Sequence, residues 1–376
     1  MEITDIDGVL CNGVKEGKLG LGLARFSGNV AGVFTGNRIK AAPVIVCREN
    51  ISKGYAKGLI VNSGNANAFT GEQGLKDARE MCRIAANLFG CREDEVAVAS
   101  TGVIGRKLDV EWIRKKAADV YSGLGNSKEH AERFANAIRT TDRFIKKAYS
   151  ESAKISAVAK GAGMISPNLA TMLCFVFTSA RFESGELYEI LRKAVKPLNR
   201  LTVDGDTSTN DTVLLIATGR DKIDRDIFEA ELEKVFYSIA RQIAKDGEGA
   251  TKVFEVVVRG AESEKSAELA AKAVANSLLV KTAIFGCDPN WGRIVAAVGY
   301  SGAEVDEKIS IAFENDEKTV FLVDRGKITG KEEEAREIMK GDFRIIVDLH
   351  RGKCTDYAVG CDLGYEYVRI NAEYTT

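Results

Sequence analysis

The sequence predicts an α+β protein in which helices cover sheets of mostly antiparallel strands. Three observations carry that expectation. Short β-branched and aromatic runs recur from end to end, among them "KGLIVNSG", "MLCFVFTS", "TKVFEVVVRG" and "FRIIVDL". Between them lie stretches with apolar residues at helical spacing, such as "LKDAREMCRIAANLFG" and "SEKSAELAAKAVANSLLV". The chain has 376 residues, more than one core usually holds, so it should form two lobes or a large lobe with a smaller one.

The elements follow in order. Residues 8–40 are Gly-rich and weakly periodic, which predicts short strands and turns. The G-x-G at Gly20 and Gly22 opens no clear helix and does not read as a dinucleotide fingerprint. "APVIVC" and "KGLIVNSG" predict buried strands. A polar loop and an amphipathic helix come next, closed by Gly90 as a C-cap. "DEVAVASTGVIG" (94–105) predicts a strand running into a Thr-Gly turn, and helical patterns follow near 109–122 and 127–139. The period-2 run "AKISAVAK" leads to a tight turn, "KGAGMISPNLA", which feeds the strand "MLCFVFTS" through Ala170-Thr171. "ESGELYEILRKAVKPLNR" predicts a helix interrupted late by Pro197. "LTVDGDTSTNDTVLLIATG" is a polar turn cluster entering a buried strand, and 224–245 is a long amphipathic helix ended by "DGEG". The remainder mixes strands ("KISIAF", "KTVFLVD", "FRIIVDL", "YEYVRINAEYTT") with helices near 289–299 and 331–340.

Composition narrows the function. Lys+Arg is 53 and Asp+Glu is 54, a balance that argues against a nucleic-acid binder with its basic stripe. The N-terminus is acidic without an apolar signal core, and no apolar run reaches the length of a membrane span, so the expectation is a cytoplasmic protein with no membrane or nucleic-acid partner. The eight cysteines form no C-x-x-C pair and read as buried reduced thiols rather than a zinc site. His130 and His350 are the two histidines, the first in a charged helical pattern and expected to be solvated, the second ending a strand-like run. A catalytic base, if there is one, is therefore expected to be something other than histidine.

The junction at Thr171 has two readings. A β-branched residue starting a strand is common. Alternatively, a cut before Thr171 would place a hydroxyl and a new α-amine on one residue. That amine, with a pKa of about 7.7–8.0, could accept the hydroxyl proton near neutrality. Strain in the turn upstream would favour attack of the hydroxyl on the Ala170 carbonyl, an N-to-O acyl shift. In "STGVIG" (100–105), the Thr101 hydroxyl and the Gly102 N–H could face a developing oxyanion, or simply end a strand. Asp204, Asp206 and Asp211 in "DGDTSTNDT" could suggest a divalent metal, but the segment lacks a calcium-loop pattern and reads better as a turn of local side-chain to backbone bonds, with no metal. Glu248, between two glycines in "KDGEGATK", could cap a helix or meet a substrate ammonium. "DPNWGRI" (288–294) reads as a loop opening a helix at Pro289 or Asn290, and "RINAEYTT" as an end that stops directly after a strand pattern, which suggests docking at a site.

Taken together, "KGAGMISPNLATML", "STGVIG", "TTD", "DGDTSTNDT", "DGEGATK", "DPNWGRI" and "NAEYTT" resemble, in order along nearly the whole chain, the ornithine acetyltransferase (glutamate N-acetyltransferase, ArgJ) family of arginine biosynthesis. The resemblance implies a self-processing fold of the DmpA/ArgJ kind: layered sheets covered by helices, with a smaller C-terminal α/β lobe within roughly 260–376. It implies cleavage between Ala170 and Thr171 into an α chain (1–170) and a β chain (171–376), two of each forming an α2β2 heterotetramer. Thr171 would take acetyl from N-acetylornithine, release ornithine and pass acetyl to glutamate in a ping-pong transfer with no cofactor. Some members also use acetyl-CoA as a co-substrate. Thr101 and Gly102 match the oxyanion hole; Thr140, Lys160, Thr171, Glu248, Asn371 and Thr376 match the substrate-binding positions, with Thr141 the alternative to Thr140. Ser166 and Leu169 stand where many relatives carry His and Met. Lys160 would supply a cation for a carboxylate and Glu248 an anion for an ammonium, complementary to acetylornithine. The competing reading is a self-processing amidase or aminopeptidase, which would let water deacylate the same threonine. A third is an uncleaved binding or phosphate-handling protein built on the acidic loop.

Overall fold

The computed structural model describes residues 1–166 and 172–373, so Ala170, Thr171 and Thr376 lie outside the described residues. Among the described residues the chain divides into two compact units, the first made of residues 1–199 and 207–239, the second of 200–206 and 240–373. The second unit takes in more chain than the 260–376 suggested by the resemblance. Its sheet is built around a strand that begins at Val253, and residues 200–206 contribute an edge strand.

In the first unit, β1 (Leu10–Glu16) and β2 (Leu19–Phe34) form a hairpin, with Glu16 paired to Leu19. β2 is one long strand where the Gly-rich sequence suggested several short ones; its register with the next strand shifts between Arg25 and Gly28. Gly20 lies inside β2 because a helix presses on it: a Cβ there would stand 2.1 Å from the Ala137 carbonyl oxygen.

α1 (Ala42–Asn50) occupies "APVIVC", so the expected strand is corrected to a helix. Pro43 fits the first turn, where its missing N–H is not needed. The buried residues Ala42, Val46 and Cys47 recur at helical spacing and join the core. Then come β3 (Tyr55–Asn65), α2 (Gly71–Phe89) ended by Gly90 in the left-handed conformation, β4 (Val96–Val103), α3 (Val110–Ser122) capped by the Asp109 carboxylate, and α4 (Lys128–Ile138). β5 (Lys146–Ser150), β6 (Ile155–Lys160) and β7 (Leu173–Ala180) form a meander. α5 (Ser184–Ala194) and α6 (Lys196–Asn199) divide just before Pro197, and β8 (Leu201–Thr202) belongs to the second unit. β9 (Thr212–Asp221) returns to the first, and α7 (Arg225–Lys245) follows it.

Among the described residues the first sheet has eight strands in the order β4-β3-β2-β9-β7-β6-β5, with β1 beside β2. β9 runs parallel to β7 and antiparallel to β2, so the polar cluster preceding it is carried to the start of β7. One core cluster joins the sheet to α2, α3 and α4, with Phe134 of α4 edge-on to Phe175 of β7.

The second unit contains β10 (Val253–Ala261), α8 (Glu264–Asn276), α9 (Leu278–Phe285), α10 (Trp291–Gly299), β11 (Ser310–Glu314), β12 (Thr319–Asp324), β13 (Lys327–Ile328), α11 (Glu332–Ile338), β14 (Phe343–Asp348), β15 (Cys354–Cys361) and α12 (Tyr365–Glu373). Its sheet runs β13-β12-β11-β14-β10-β15-β8. Antiparallel pairs predominate in both sheets, as the α+β reading requires. The run "YEYVRINAE" alternates like a strand but forms α12, a second correction. None of its residues is buried, so no half-buried sheet face selects the extended form, while Asn371 Nδ2 bonds back to the Tyr367 carbonyl one turn away.

Candidate active site

β3 and β4 run side by side and end together, with Ser63 opposite Thr101 and Gly64 opposite Gly102. Their ends are tied by the Ser100 hydroxyl donating to Asn62 Oδ1 and by Asn62 Nδ2 donating to the Asn65 carbonyl. Gly102 has φ +133°, and a Cβ there would lie 2.3 Å from the Gly64 carbonyl carbon and 2.5 Å from the Asn65 nitrogen. Only glycine fits, so this turn of backbone is fixed by steric necessity. Lys160, at the end of β6 and 8% exposed, donates from Nζ to Thr101 Oγ1 at 3.2 Å. The lysine occupies the oxygen as acceptor and leaves the Thr101 hydrogen to be donated elsewhere.

Behind this pair sits Asp142, whose side chain is fully buried with that of Lys146, 2.7 Å from its Nζ. Asp142 Oδ1 also accepts from the Gly161 N–H at 2.7 Å, and Oδ2 from the Thr140 N–H at 3.0 Å. The residue next to Lys160 and the backbone of Thr140 thus hang on one carboxylate. Burial alone would raise its pKa. The charges of Lys160 and Lys146, with the bonds from Lys146 and Gly161, outweigh burial and hold the carboxyl well below the usual range. Lys15 completes the cationic neighbourhood, donating to Ser63 Oγ and the Arg139 carbonyl; burial first, then the Lys160 charge, lowers its ammonium to about 8.

The "DGDTSTNDT" segment divides between the units, with Asp204 and Asp206 in the second and Asp211 in the first. Among the described residues no group of three or more His, Cys, Asp or Glu is placed to hold a metal ion. The segment acts instead as a brace. Asn210 Nδ2 donates to the Ala66 carbonyl at 2.6 Å and to the Ser100 carbonyl at 2.8 Å, so it grips the residue preceding Thr101. Two residues on, the Thr212 N–H donates to the Met172 carbonyl at 2.8 Å.

The second unit holds Glu248 and Asn371. Gly249 has φ +73°, and a Cβ on it would come within 2.5 Å of the Tyr367 nitrogen, so the glycine admits α12 against this turn. One turn further along α12, Asn371 Nδ2 donates to Glu248 Oε2 at 2.9 Å. Asp362, buried after β15, accepts from the Thr251 and Lys252 N–H groups and from the Thr251 hydroxyl, fixing the chain that follows Glu248. Asn290 is the N-cap of α10, accepting from the Arg293 N–H, which accounts for "DPNWGRI" structurally.

Of the residues singled out in the sequence, the structure gathers Thr101, Gly102, Thr140 and Lys160 in the first unit and pairs Glu248 with Asn371 in the second. Asp142, Asn210, Lys15 and Asp362 were missed as positioning groups. Asp142 stood in the quoted "TTD" and Asn210 in "DGDTSTNDT", so a polar residue inside an otherwise unexplained motif was the available signal. The histidines are engaged elsewhere. His130 is half-buried against the Ser127 hydroxyl rather than solvated, and His350 contacts Ser310 and Asp348. Burial pushes the thiols of Cys11, Cys47 and Cys174 up to about 12, so they are not nucleophiles at neutral pH. No described helix is long and apolar enough to cross a membrane.

A model of the ArgJ family matches residues 7–376. The chain is 69% identical over 379 aligned residues to the arginine biosynthesis bifunctional protein ArgJ of Archaeoglobus fulgidus, covering 100% of both chains. It is 48% identical to the glutamate N-acetyltransferase of Methanosarcina mazei, covering 100% of this chain and 98% of the relative. Among solved structures it is similar to the arginine biosynthesis bifunctional protein argJ of Bacillus halodurans, with a TM-score of 0.50 and 44% identity over 53% of this chain and 98% of that one.

Proposed function

The chain belongs to the ArgJ family and is a glutamate N-acetyltransferase of arginine biosynthesis, and on that premise we propose how it carries out the transfer. The chain cuts itself between Ala170 and Thr171. Thr171, now an N-terminal nucleophile with its own α-amine as base, takes acetyl from N-acetylornithine, releases ornithine and hands the acetyl to glutamate. No cofactor takes part, and acetyl-CoA, in members that use it, is a co-substrate rather than a bound group. Lys160 binds a substrate carboxylate together with Thr140; Glu248, steadied by Asn371, takes a substrate ammonium; Thr376 completes the binding positions. The cleaved α and β chains stay together as an α2β2 assembly in the cytoplasm.

The observation that carries this reading is the Lys160–Thr101 bond beside Gly102. Attack on an acetyl amide builds negative charge on oxygen, and catalysis needs donors fixed in advance where that charge appears. A hydroxyl whose oxygen already accepts from an ammonium has its hydrogen turned outward and polarised, which makes it the stronger donor. A glycine that tolerates no side chain keeps the adjacent backbone in place. The Bacillus halodurans chain adds support: 98% of it matches only 53% of this one, as fits a relative whose polypeptide is divided in two. The full-length relative named a glutamate N-acetyltransferase favours transfer over the amidase or aminopeptidase reading.

Intact-mass analysis of the purified protein tests the proposal. The native chain should give two fragments meeting at Ala170/Thr171. Thr171→Ala should give one uncut chain that no longer moves labelled acetyl from N-acetylornithine to glutamate. An uncut native chain with full activity would sink the mechanism, and labelled acetyl released to water equally with and without glutamate would sink the transfer.

A further inference from the structure

Self-cleavage poses a problem that the acetyl transfer does not. Before the cut, the nitrogen of Thr171 is an amide and cannot serve as a base, so the proton of its hydroxyl needs another carrier. Neither histidine offers one, being engaged by Ser127 or by Ser310 and Asp348.

Asp211 is the candidate for that work. It immediately precedes β9, is 2% exposed, and its Oδ2 is buried with no hydrogen-bond partner. The backbone around it is held on three sides. Its own carbonyl accepts from the Thr35 N–H at 3.0 Å. Thr212, the next residue, donates to the carbonyl of Met172, the residue that follows Thr171 in the chain. Asn210, the residue before, donates to the carbonyl of Ser100, which precedes Thr101. Asp211 is thereby locked to the immediate neighbours of both the nucleophile and the oxyanion donor. A carboxylate with one oxygen unpaired at such a depth is costly, and burial drives its pKa well above the ordinary value; bonds from Ser208 and Thr35 and the charge of Lys160 on β6 oppose the shift without reversing it. Once protonated, such a carboxyl has a proton on one oxygen and a lone pair on the other.

We propose that Asp211 is the proton carrier of chain processing. As Thr171 Oγ bonds to the Ala170 carbonyl carbon and the carbon–nitrogen bond breaks, one carboxyl oxygen of Asp211 gives its proton to the departing nitrogen. The other takes the hydroxyl proton, so the carboxyl ends as it began. Water then hydrolyses the ester to an Ala170 carboxylate and a free Thr171 hydroxyl. This role rests on the self-cleavage reading above.

Pulse-labelled full chain made in a cell-free system, chased over a series of pH values and followed by intact mass, tests it. Native chain should be processed at a rate that falls as pH rises through the titration of Asp211, because the protonated form is the active one. Asp211→Asn should be processed about 10²–10⁴-fold more slowly, the usual worth of a positioned acid–base group, and should lose the pH dependence. A native rate with no falling limb, or an Asp211→Asn chain cut at the native rate, overturns the role of Asp211 while leaving self-cleavage standing. A native chain that is never cut overturns the self-cleavage reading itself.

Discussion

The two groups of site residues are built to different depths. In the first unit, Thr101, Thr140 and Lys160 converge on a buried Asp142–Lys146 pair, and every connection between them passes through strand ends or a carboxylate that water does not reach. In the second, Glu248 is half-buried, Asn371 is exposed, and one hydrogen bond joins them at the surface of a helix that buries nothing. Groups that meet a developing charge must be fixed beforehand, because any reorganisation during the reaction adds to the barrier. Groups that recognise a charged end of a substrate can remain solvated and adjust. The contrast predicts that damage to the first group costs stability and chemistry together, whereas damage to the second costs binding alone.

The largest break should come at Asp142. Asp142→Asn removes the carboxylate that faces the fully buried Lys146 ammonium, and losing one partner of a buried pair costs about 3–5 kcal/mol. Urea denaturation followed at several pH values checks this. The folded carboxyl titrates below the unfolded value of about 3.9, so the unfolded state binds the proton first. The stabilisation from Asp142 is therefore complete above about pH 4 and lost as the pH falls through the folded pKa. The gap between native and variant should be wide and level at neutral pH and close only in stronger acid. A gap that is small at neutral pH, or that closes as pH rises, would remove the buried pair as the foundation of this group. Adding Lys146→Met should recover part of the loss, since the buried ammonium goes with it.

Next comes Gly102→Ala. The new Cβ meets backbone on β3 that cannot yield as a side chain would, and φ +133° disfavours any L-residue. Displacing one donor of an oxyanion site costs about 10²–10³-fold in kcat, and the acetyl-transfer rate should fall by that order. Thr101→Val removes the hydroxyl without touching the backbone and should fall in the same range. If both variants turn over like the native protein, the β4 turn is not the oxyanion site.

The sequence showed what repeats locally and missed what depends on partners far along the chain. Most strands and helices were legible because burial leaves a period of two or of about 3.6 in the residues themselves. "APVIVC" misled because a short β-branched run is equally at home on a buried helix, where Pro43 fits the first turn. α12 misled because an exposed helix carries no apolar period to read. At the site, Thr101, Gly102 and Lys160 stood out in short motifs, while Asp142 and Asn210 did not. Their importance comes from reaching Gly161 and Ser100, which lie 19 and 110 residues away in sequence. A buried carboxylate and a solvated one are the same letter, and only the fold holds the pKa of Asp142 down and pushes that of Asp211 up.

The smallest effects should arise in the second unit, where they sharpen the contrast. Glu248→Gln keeps the shape of the side chain and most of the bond to Asn371 but removes the charge. A hydrogen bond to a charged group contributes about 1.5–3 kcal/mol, so KM for N-acetylornithine should rise about 10- to 100-fold. Asn371→Ala removes only the support for that carboxylate and, like an ordinary hydrogen bond, should cost about 0.5–1.5 kcal/mol in the same KM. Neither should alter the urea midpoint or the extent of cleavage at Ala170/Thr171, because neither side chain supports the buried pair or the β4 turn. The informative measurement is KM against kcat for both variants beside intact mass. If Glu248→Gln left KM unchanged and lowered kcat or blocked processing, Glu248 would belong with the reacting groups, and the division between a fixed chemical part and an adjustable binding part would fail.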